Sequence, residues 1–110
     1  MKLIIAIVQD EDSSRLLTGL MEKGIGATKL ATTGGFLKAG NTTLIIGVEE
    51  DRLEDAIHII ERVCKSRKQL TTAHTGSAGA AAGGFVPFPL EVTVGGATLF
   101  VLSVDRFLKV

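Results

Sequence analysis

The sequence of 110 residues contains no tryptophan and no tyrosine, and aromatic residues make up only 5% of it. Because 45% of the residues are nonetheless hydrophobic, any core must be built almost entirely from aliphatic side chains. The length suits one domain, to which we assign residues 1–110, and it allows a core with little margin.

Cysteine and histidine are also scarce. Cys64 is the only cysteine, which excludes an internal disulfide and a cysteine-rich metal site, and we interpret it as a packed thiol. The two histidines, His58 and His74, are well separated, and neither has the neighbours of a metal ligand. We therefore predict no metal site and no cofactor.

The sequence has no charge of one dominant sign and no long hydrophobic run. Lys+Arg and Asp+Glu are each 12, so no bulk field attracts nucleic acid or an anionic membrane. The apolar run over residues 3–8 is shorter than a secretory core, and no stretch approaches the length that spans a bilayer. We expect a soluble cytoplasmic protein that binds neither nucleic acid nor membrane.

The residue patterns of catalysis are missing as well. A nucleophile needs an adjacent base, and acid–base chemistry often needs paired carboxylates in a cleft. The serines have no visible histidine partner, and Glu91 and Asp105 are the only acids late in the chain. We predict that the protein is not an enzyme, although a small oligomeric enzyme stays open because fold alone does not exclude one.

The first half of the sequence predicts three strands and a helix. A continuous apolar run favours a strand over 3–8, and we predict two further strands over 27–32 and 43–48. Capping residues and acids at 10–13 open a helix that Gly24 stops. The apolar face of this helix is predicted to consist of Leu16, Leu17, Leu20 and Met21.

A second helix opens at the acidic residues 49–51, and its C-terminal end is predicted to carry Lys65, Arg67 and Lys68. Apolar residues at helical spacing form its buried face: Leu53, Ala56, Ile57, Ile60 and Val63.

The last third predicts strands around a glycine-rich loop. Residues 70–75 favour a short extended segment, and the low-complexity segment 76–89 is typical of a mobile loop. Residues 90–94 alternate between apolar and polar, and Gly95-Gly96 predicts a tight hairpin turn into a strand over 97–104.

The resulting order, β-α-β-β-α-β with an additional C-terminal hairpin, predicts an α+β ferredoxin-like sandwich. Two helices cover only one face of such a sheet. The first, third and last strands are apolar at consecutive positions, so both of their faces favour burial. We therefore predict a homo-oligomer, for which a closed ring of three is one arrangement.

Three segments resemble one bacterial family almost from end to end: "IIAIVQD", "ATKLATTGGFLKAGNTT" and "EVTVGGATLFV". The sequence is similar to the PII-like cyclic di-AMP receptors. The resemblance implies a homotrimer of ferredoxin-like subunits. It also implies a non-enzymatic signalling protein that binds cyclic di-AMP between subunits and acts on an unidentified downstream protein.

The ligand contacts that the resemblance implies are Thr28, Gly35, Phe36, Leu37, Asn41, Gly47 and Phe100. Their chemistry suits a nucleotide, because an aromatic ring can stack on a purine and an amide can read its rim. Signalling would then proceed by ordering the loop around Phe36 and the loop over 75–89. An alternative for Phe36 and Leu37 is that they plug the subunit interface.

Gly26 departs from the family pattern, because relatives that bind this nucleotide tend to carry arginine just before Ala-Thr-Lys. Loss of a charge-assisted hydrogen bond would weaken binding about ten- to a hundred-fold. The alternative function is a PII-like trimer that has lost cyclic di-AMP binding. Such a trimer would sense another small ligand or act as a structural, protein-binding assembly.

Overall fold

A computed structural model of the protein describes residues 1–31, 40–72 and 89–110. In these residues the chain forms an α+β domain, as predicted. Its elements are β1 (Lys2–Gln9), α1 (Asp10–Glu22), β2 (Ala27–Ala31), β3 (Asn41–Val48), a 3-10 turn (Glu50–Arg52), α2 (Leu53–Cys64), β4 (Arg67–Thr72), β5 (Pro89–Val94) and β6 (Ala97–Ser103).

Four strands form one antiparallel sheet in the order β2-β3-β1-β6. This arrangement is compatible with the predicted ferredoxin-like fold. Both helices pack on the same face of the sheet. Alternate strand residues point to that face, and the fully buried core contains Ile4, Ala6, Val8, Leu16, Leu20, Leu44, Ile46 and Ala56.

Small residues shape the helical layer. A Cβ at Gly19 of α1 would lie 3.2 Å from Ile59 Cγ2, so α1 and α2 approach closely there. Gly24 has a φ of 71° and follows the last turn of α1, where the Ile25 amide donates to the Leu20 carbonyl at 2.9 Å. The predicted stop of the helix is confirmed. Met21, predicted on the apolar face, is instead exposed.

The predicted hairpin at Gly95-Gly96 is wrong. β5 pairs with β4 in a separate two-stranded sheet, and β6 pairs with β1. The Gly95 amide donates to Gln9 Oε1 at 2.6 Å, and the Gly96 amide donates to the Cys64 carbonyl. Both glycines have positive φ, so this dipeptide redirects the chain from one sheet into the other.

The additional strands therefore form an insertion between α2 and β6, which we call the β4–β5 arm. Arg67 and Lys68, predicted at the end of α2, begin this arm. The radius of gyration is 18.3 Å, above the roughly 13 Å of a compact domain of this length. Because a two-stranded sheet is marginal by itself, the arm depends on contacts at its base.

Candidate functional site

Four of the predicted ligand residues lie on the sheet face turned away from the helices, which we call the outer face. Ile4 and Ile46 point into the core, so their neighbours Ile5 and Ile45 point to the outer face. Strand register places four site residues on this same face: Thr28, Asn41, Gly47 and Phe100.

One row of residues crosses the outer face from edge to edge. Thr28 is opposite Ile45, Ile45 is opposite Ile5, and Ile5 is opposite Phe100. Three strand spacings separate the ends of this row, which is roughly 14 Å at about 4.8 Å per strand. Gly47 is two residues along β3 from Ile45, so it lies near Thr28. The structure brings Thr28 and Gly47 together and leaves Phe100 at the opposite edge.

The outer face is apolar and only partly covered. The side chains of Ile5 and Ile45 are half-buried, while Phe100 is 46% and Leu102 44% exposed. β6 is also the edge strand of the four-stranded sheet within the described residues. An uncovered apolar face beside an open strand edge is a surface that proteins usually cover.

Asn41 is described by the structure, whereas the predicted ligand residues in the preceding connection are not. Asn41 is the first residue of β3, lies opposite Gln9 and is only 1% exposed in the single chain. Gly35, Phe36 and Leu37 lie outside the described residues. The predictions for these three residues stay predictions.

Two acids of the first turn of α1 have roles that the sequence prediction missed. They were predicted to cap the helix, but the N-cap is Gln9, whose side chain makes no capping hydrogen bond to the helix. Asp10 instead accepts a hydrogen bond from the Thr42 hydroxyl, and its amide donates to the Gly40 carbonyl at 3.0 Å. Asp10 therefore contacts the residues on both sides of Asn41.

Asp12 lies in the core side of α1, where its carboxylate accepts hydrogen bonds from Arg67 and Arg15 at 2.9 Å. Burial raises the pKa of this carboxyl, but the hydrogen bonds and positive charges of Arg67 and Arg15 outweigh burial, so the pKa is lowered overall. The spacing of Asp12, Leu16 and Leu20 is the signal that would have placed an acid on the buried face.

The side chains of Cys64 and His58 both lie within the described residues. Cys64 is buried, as predicted, and burial together with the charge of Asp12 raises the pKa of its thiol to about 11. His58 is exposed on α2. Within residues 1–31, 40–72 and 89–110, no group of three histidine, cysteine or acidic side chains could hold a metal ion.

In the same described ranges, neither helix is long and apolar enough to cross a membrane.

Comparisons with known proteins agree with the arrangement of the elements. A family model described as cyclic-di-AMP receptor matches residues 1–110, which is the whole chain. The crystal structure of a functionally unknown protein from Pediococcus pentosaceus ATCC 25745 is similar, with a TM-score of 0.79 and 41% sequence identity. That match covers 99% of this chain and 96% of the Pediococcus chain. With the family match spanning every residue, the chain belongs to the PII-like cyclic-di-AMP receptor family.

Proposed function

We propose that this protein is a non-enzymatic homotrimeric sensor that binds cyclic di-AMP in clefts between its subunits. Family membership supports the ligand class and the signalling role. The observation that carries the proposal is the position of Thr28 and Phe100 at opposite edges of one outer face. A base held at one edge of a subunit does not reach the other edge, so the complete site needs a second copy.

Assembly of copies through the outer face would cover the surface that a single chain leaves open. The half-buried Ile5 and Ile45 and the exposed Phe100 and Leu102 provide aliphatic and aromatic contact area there. Burial of such a face stabilises an oligomer in the same way as it stabilises a core. The number of three subunits comes from the family resemblance.

The chemistry near Thr28 suits a nucleotide. A Cβ at Gly47 would have no heavy atom of the described residues within 4 Å, and Gly47 does not have a positive φ. The described part of the chain therefore gives no reason for a glycine at this position. A ligand that approaches the backbone closely would give one, and the exposed Thr28 hydroxyl beside it can donate to a phosphate oxygen.

Recognition of the base is proposed for the residues that the family resemblance assigns. Phe36 and Leu37 would contact one purine face, and Phe100 of a neighbouring copy would supply an aromatic surface. Stacking of a base on an aromatic ring contributes about 1–3 kcal/mol. Asn41, buried at the start of β3, would read the rim of the base from the floor of the site.

Signal output is proposed to follow from changes in the two long connections of the chain, around Phe36 and over 75–89. A ligand that binds one arrangement of these segments better than another shifts the population toward it. The shifted surface would then be read by a downstream protein. No step in this scheme breaks a bond in the ligand.

Titration calorimetry with cyclic di-AMP tests the proposal. We expect saturable heat with one site per subunit, and a Thr28→Val variant, which keeps the side-chain volume but removes the hydroxyl, should bind about tenfold more weakly. Thr18→Val is the matched control, because Thr18 is exposed on α1 and donates to the Ser14 carbonyl. Absence of heat at high micromolar ligand, with a folded trimer by light scattering, would reject this ligand.

A second candidate function is a related trimer that senses another small molecule. Gly26 favours it, because a glycine cannot provide the guanidinium fork that binds a phosphate. A thermal-shift screen with cyclic di-AMP, cyclic di-GMP, ATP and ADP separates the two candidates. Ligand at a hundred times its dissociation constant stabilises the bound form by about 2.7 kcal/mol, which such a screen detects.

A further inference from the structure

We infer that Asp10 is a positioning residue of the nucleotide site, which holds the chain on both sides of Asn41. The inference rests on the proposed function, in which Asn41 contacts the base. Asp10 itself lies in the first turn of α1 and has no ligand role in that proposal.

Three contacts of Asp10 converge on residues 40–42. Its backbone amide donates to the Gly40 carbonyl at 3.0 Å, and its carboxylate accepts from the Thr42 hydroxyl. The same carboxylate packs so tightly against Gly40 that a Cβ at that position would overlap Oδ2. Asp10 thus sets where the chain enters β3, immediately before and after Asn41.

Asp10 is in turn held by its own turn of helix. The Ser13 hydroxyl, which is buried, donates to the Asp10 carbonyl at 2.9 Å. Gln9, the preceding residue, pairs with Asn41 in the β1–β3 ladder. The backbone of Asp10, from which the carboxylate projects, is therefore held by α1 and β1.

The expected effect of removing the Asp10 side chain follows from how deeply Asp10 and Thr42 are buried. The Thr42 hydroxyl belongs to a residue that is only 4% exposed, so it depends on the carboxylate as an acceptor, and a charged acceptor makes this a strong bond. Asp10 itself is exposed, so its truncation opens no cavity in the core. Loss of Asp10 should therefore shift residues 40–42 more than it lowers the stability of the whole domain.

Asp12 is a matched control on the same turn. It is also a carboxylate, but its hydrogen bonds go to Arg67 of the β4–β5 arm and to Arg15. Replacement of Asp12 loosens the base of the arm and leaves every contact to residues 40–42 in place. A general loosening of the start of α1 would affect both variants equally.

The experiment measures the dissociation constant of cyclic di-AMP by calorimetry and the midpoint of thermal unfolding without ligand. The variants are Asp10→Ala, Thr42→Val, their double variant and Asp12→Asn. We expect Asp10→Ala to weaken binding about tenfold or more with little change in midpoint. Thr42→Val should act in the same direction, and the double variant should add less than twofold to Asp10→Ala, because both remove one interaction. Asp12→Asn should lower the midpoint and keep the affinity within about threefold.

If Asp10→Ala binds cyclic di-AMP within twofold of the wild-type affinity, the inference is overturned while the proposed function stands. The same holds if Asp12→Asn loses as much affinity as Asp10→Ala. If Asp10→Ala does not fold, Thr42→Val decides by the same criteria. Absence of binding by the wild-type protein overturns the proposed function and the inference with it.

Discussion

Asp12 and Arg67 form an ion pair that joins the start of α1 to the start of β4 across 55 positions of sequence. Arg67 Nη2 lies 2.9 Å from Asp12 Oδ1, and Arg15 Nη2 donates to the same oxygen at 2.9 Å. The Asp12 side chain is fully buried, while the side chain of Arg67 is 38% exposed. The β4–β5 arm is therefore attached to the helical layer by a buried carboxylate that two guanidinium groups neutralise.

This ion pair predicts a pH dependence of stability. Because Arg67 and Arg15 hold the pKa of Asp12 below its ordinary value of 3.8, the carboxylate stabilises the fold fully above that value. The stabilisation is lost as the pH falls through the lower pKa of the folded state. Asp12→Asn should lower the free energy of unfolding by about 1.5–3 kcal/mol at neutral pH. Its difference from wild type should shrink in acid.

Urea unfolding at fixed protein concentration, from neutral pH to about pH 2, measures this difference. Lys68→Met is the control, since its ion pair with Glu91 is exposed on both sides and should contribute less than about 1 kcal/mol. A difference between wild type and Asp12→Asn that stays constant over the whole range would contradict the assignment.

The outer face predicts the effect of a charge at its centre. Ile5 lies between Ile45 and Phe100 in the row that crosses the sheet, so Ile5→Glu would place a carboxylate inside the proposed subunit interface. Burying such a charge costs several kcal/mol, and the variant should be monomeric or unfolded. Light scattering with circular dichroism distinguishes these states. Met21→Glu, at an exposed position of α1, is the control and should assemble like the wild type. A monomeric wild-type protein would refute assembly through the outer face.

Gly26 predicts a gain of function. A Cβ at Gly26 has no heavy atom of the described residues within 4 Å, and the residue does not have a positive φ. Gly26→Arg should therefore fold normally and, by restoring a guanidinium near the phosphates, tighten cyclic di-AMP binding about ten- to a hundred-fold. Calorimetry on Gly26→Arg and Gly26→Ala measures the effect. Equal affinities of the two variants would exclude a phosphate contact from this position.

Two other glycines predict opposite consequences of the same substitution. Gly95 has a φ of 83°, and a Cβ there would lie 2.5 Å from Arg67 Nη1 and 2.7 Å from the Lys65 carbonyl oxygen. Gly95→Ala should destabilise the protein by about 1–3 kcal/mol. Gly47→Ala meets no such obstacle and should leave unfolding unchanged while it weakens ligand binding. Thermal unfolding and calorimetry on both variants check this; a stability loss in Gly47→Ala would show that the glycine serves the fold.

Most of the secondary structure was predictable because it follows from local periodicity. The apolar run at residues 3–8 became the centre of β1, and the buried face of α2 includes the predicted Ala56 and Ile60. The turn at Gly95-Gly96 was also recognisable from its two glycines. Its role was not, because a tight turn fits a hairpin as well as a passage between two sheets.

The candidate site was less predictable from the sequence than the secondary structure was. Thr28, Gly47 and Phe100 came from the family resemblance, and the structure adds that they share one face and are divided between its edges. The roles of Asp10 and Arg67 were not found, because their partners are 32 and 55 positions away in the sequence. Local patterns carry no information about such partners.

The sequence by itself determined the helices, most of the strands, the aliphatic core and the family, since each depends on neighbouring residues or on a run of matched ones. Only the tertiary structure decided which strands pair, that Asp12 is buried against two arginines, and that Thr28 and Phe100 lie at opposite edges of one sheet face. Those features arise from strand register and from contacts between distant segments, which form only when the chain has folded.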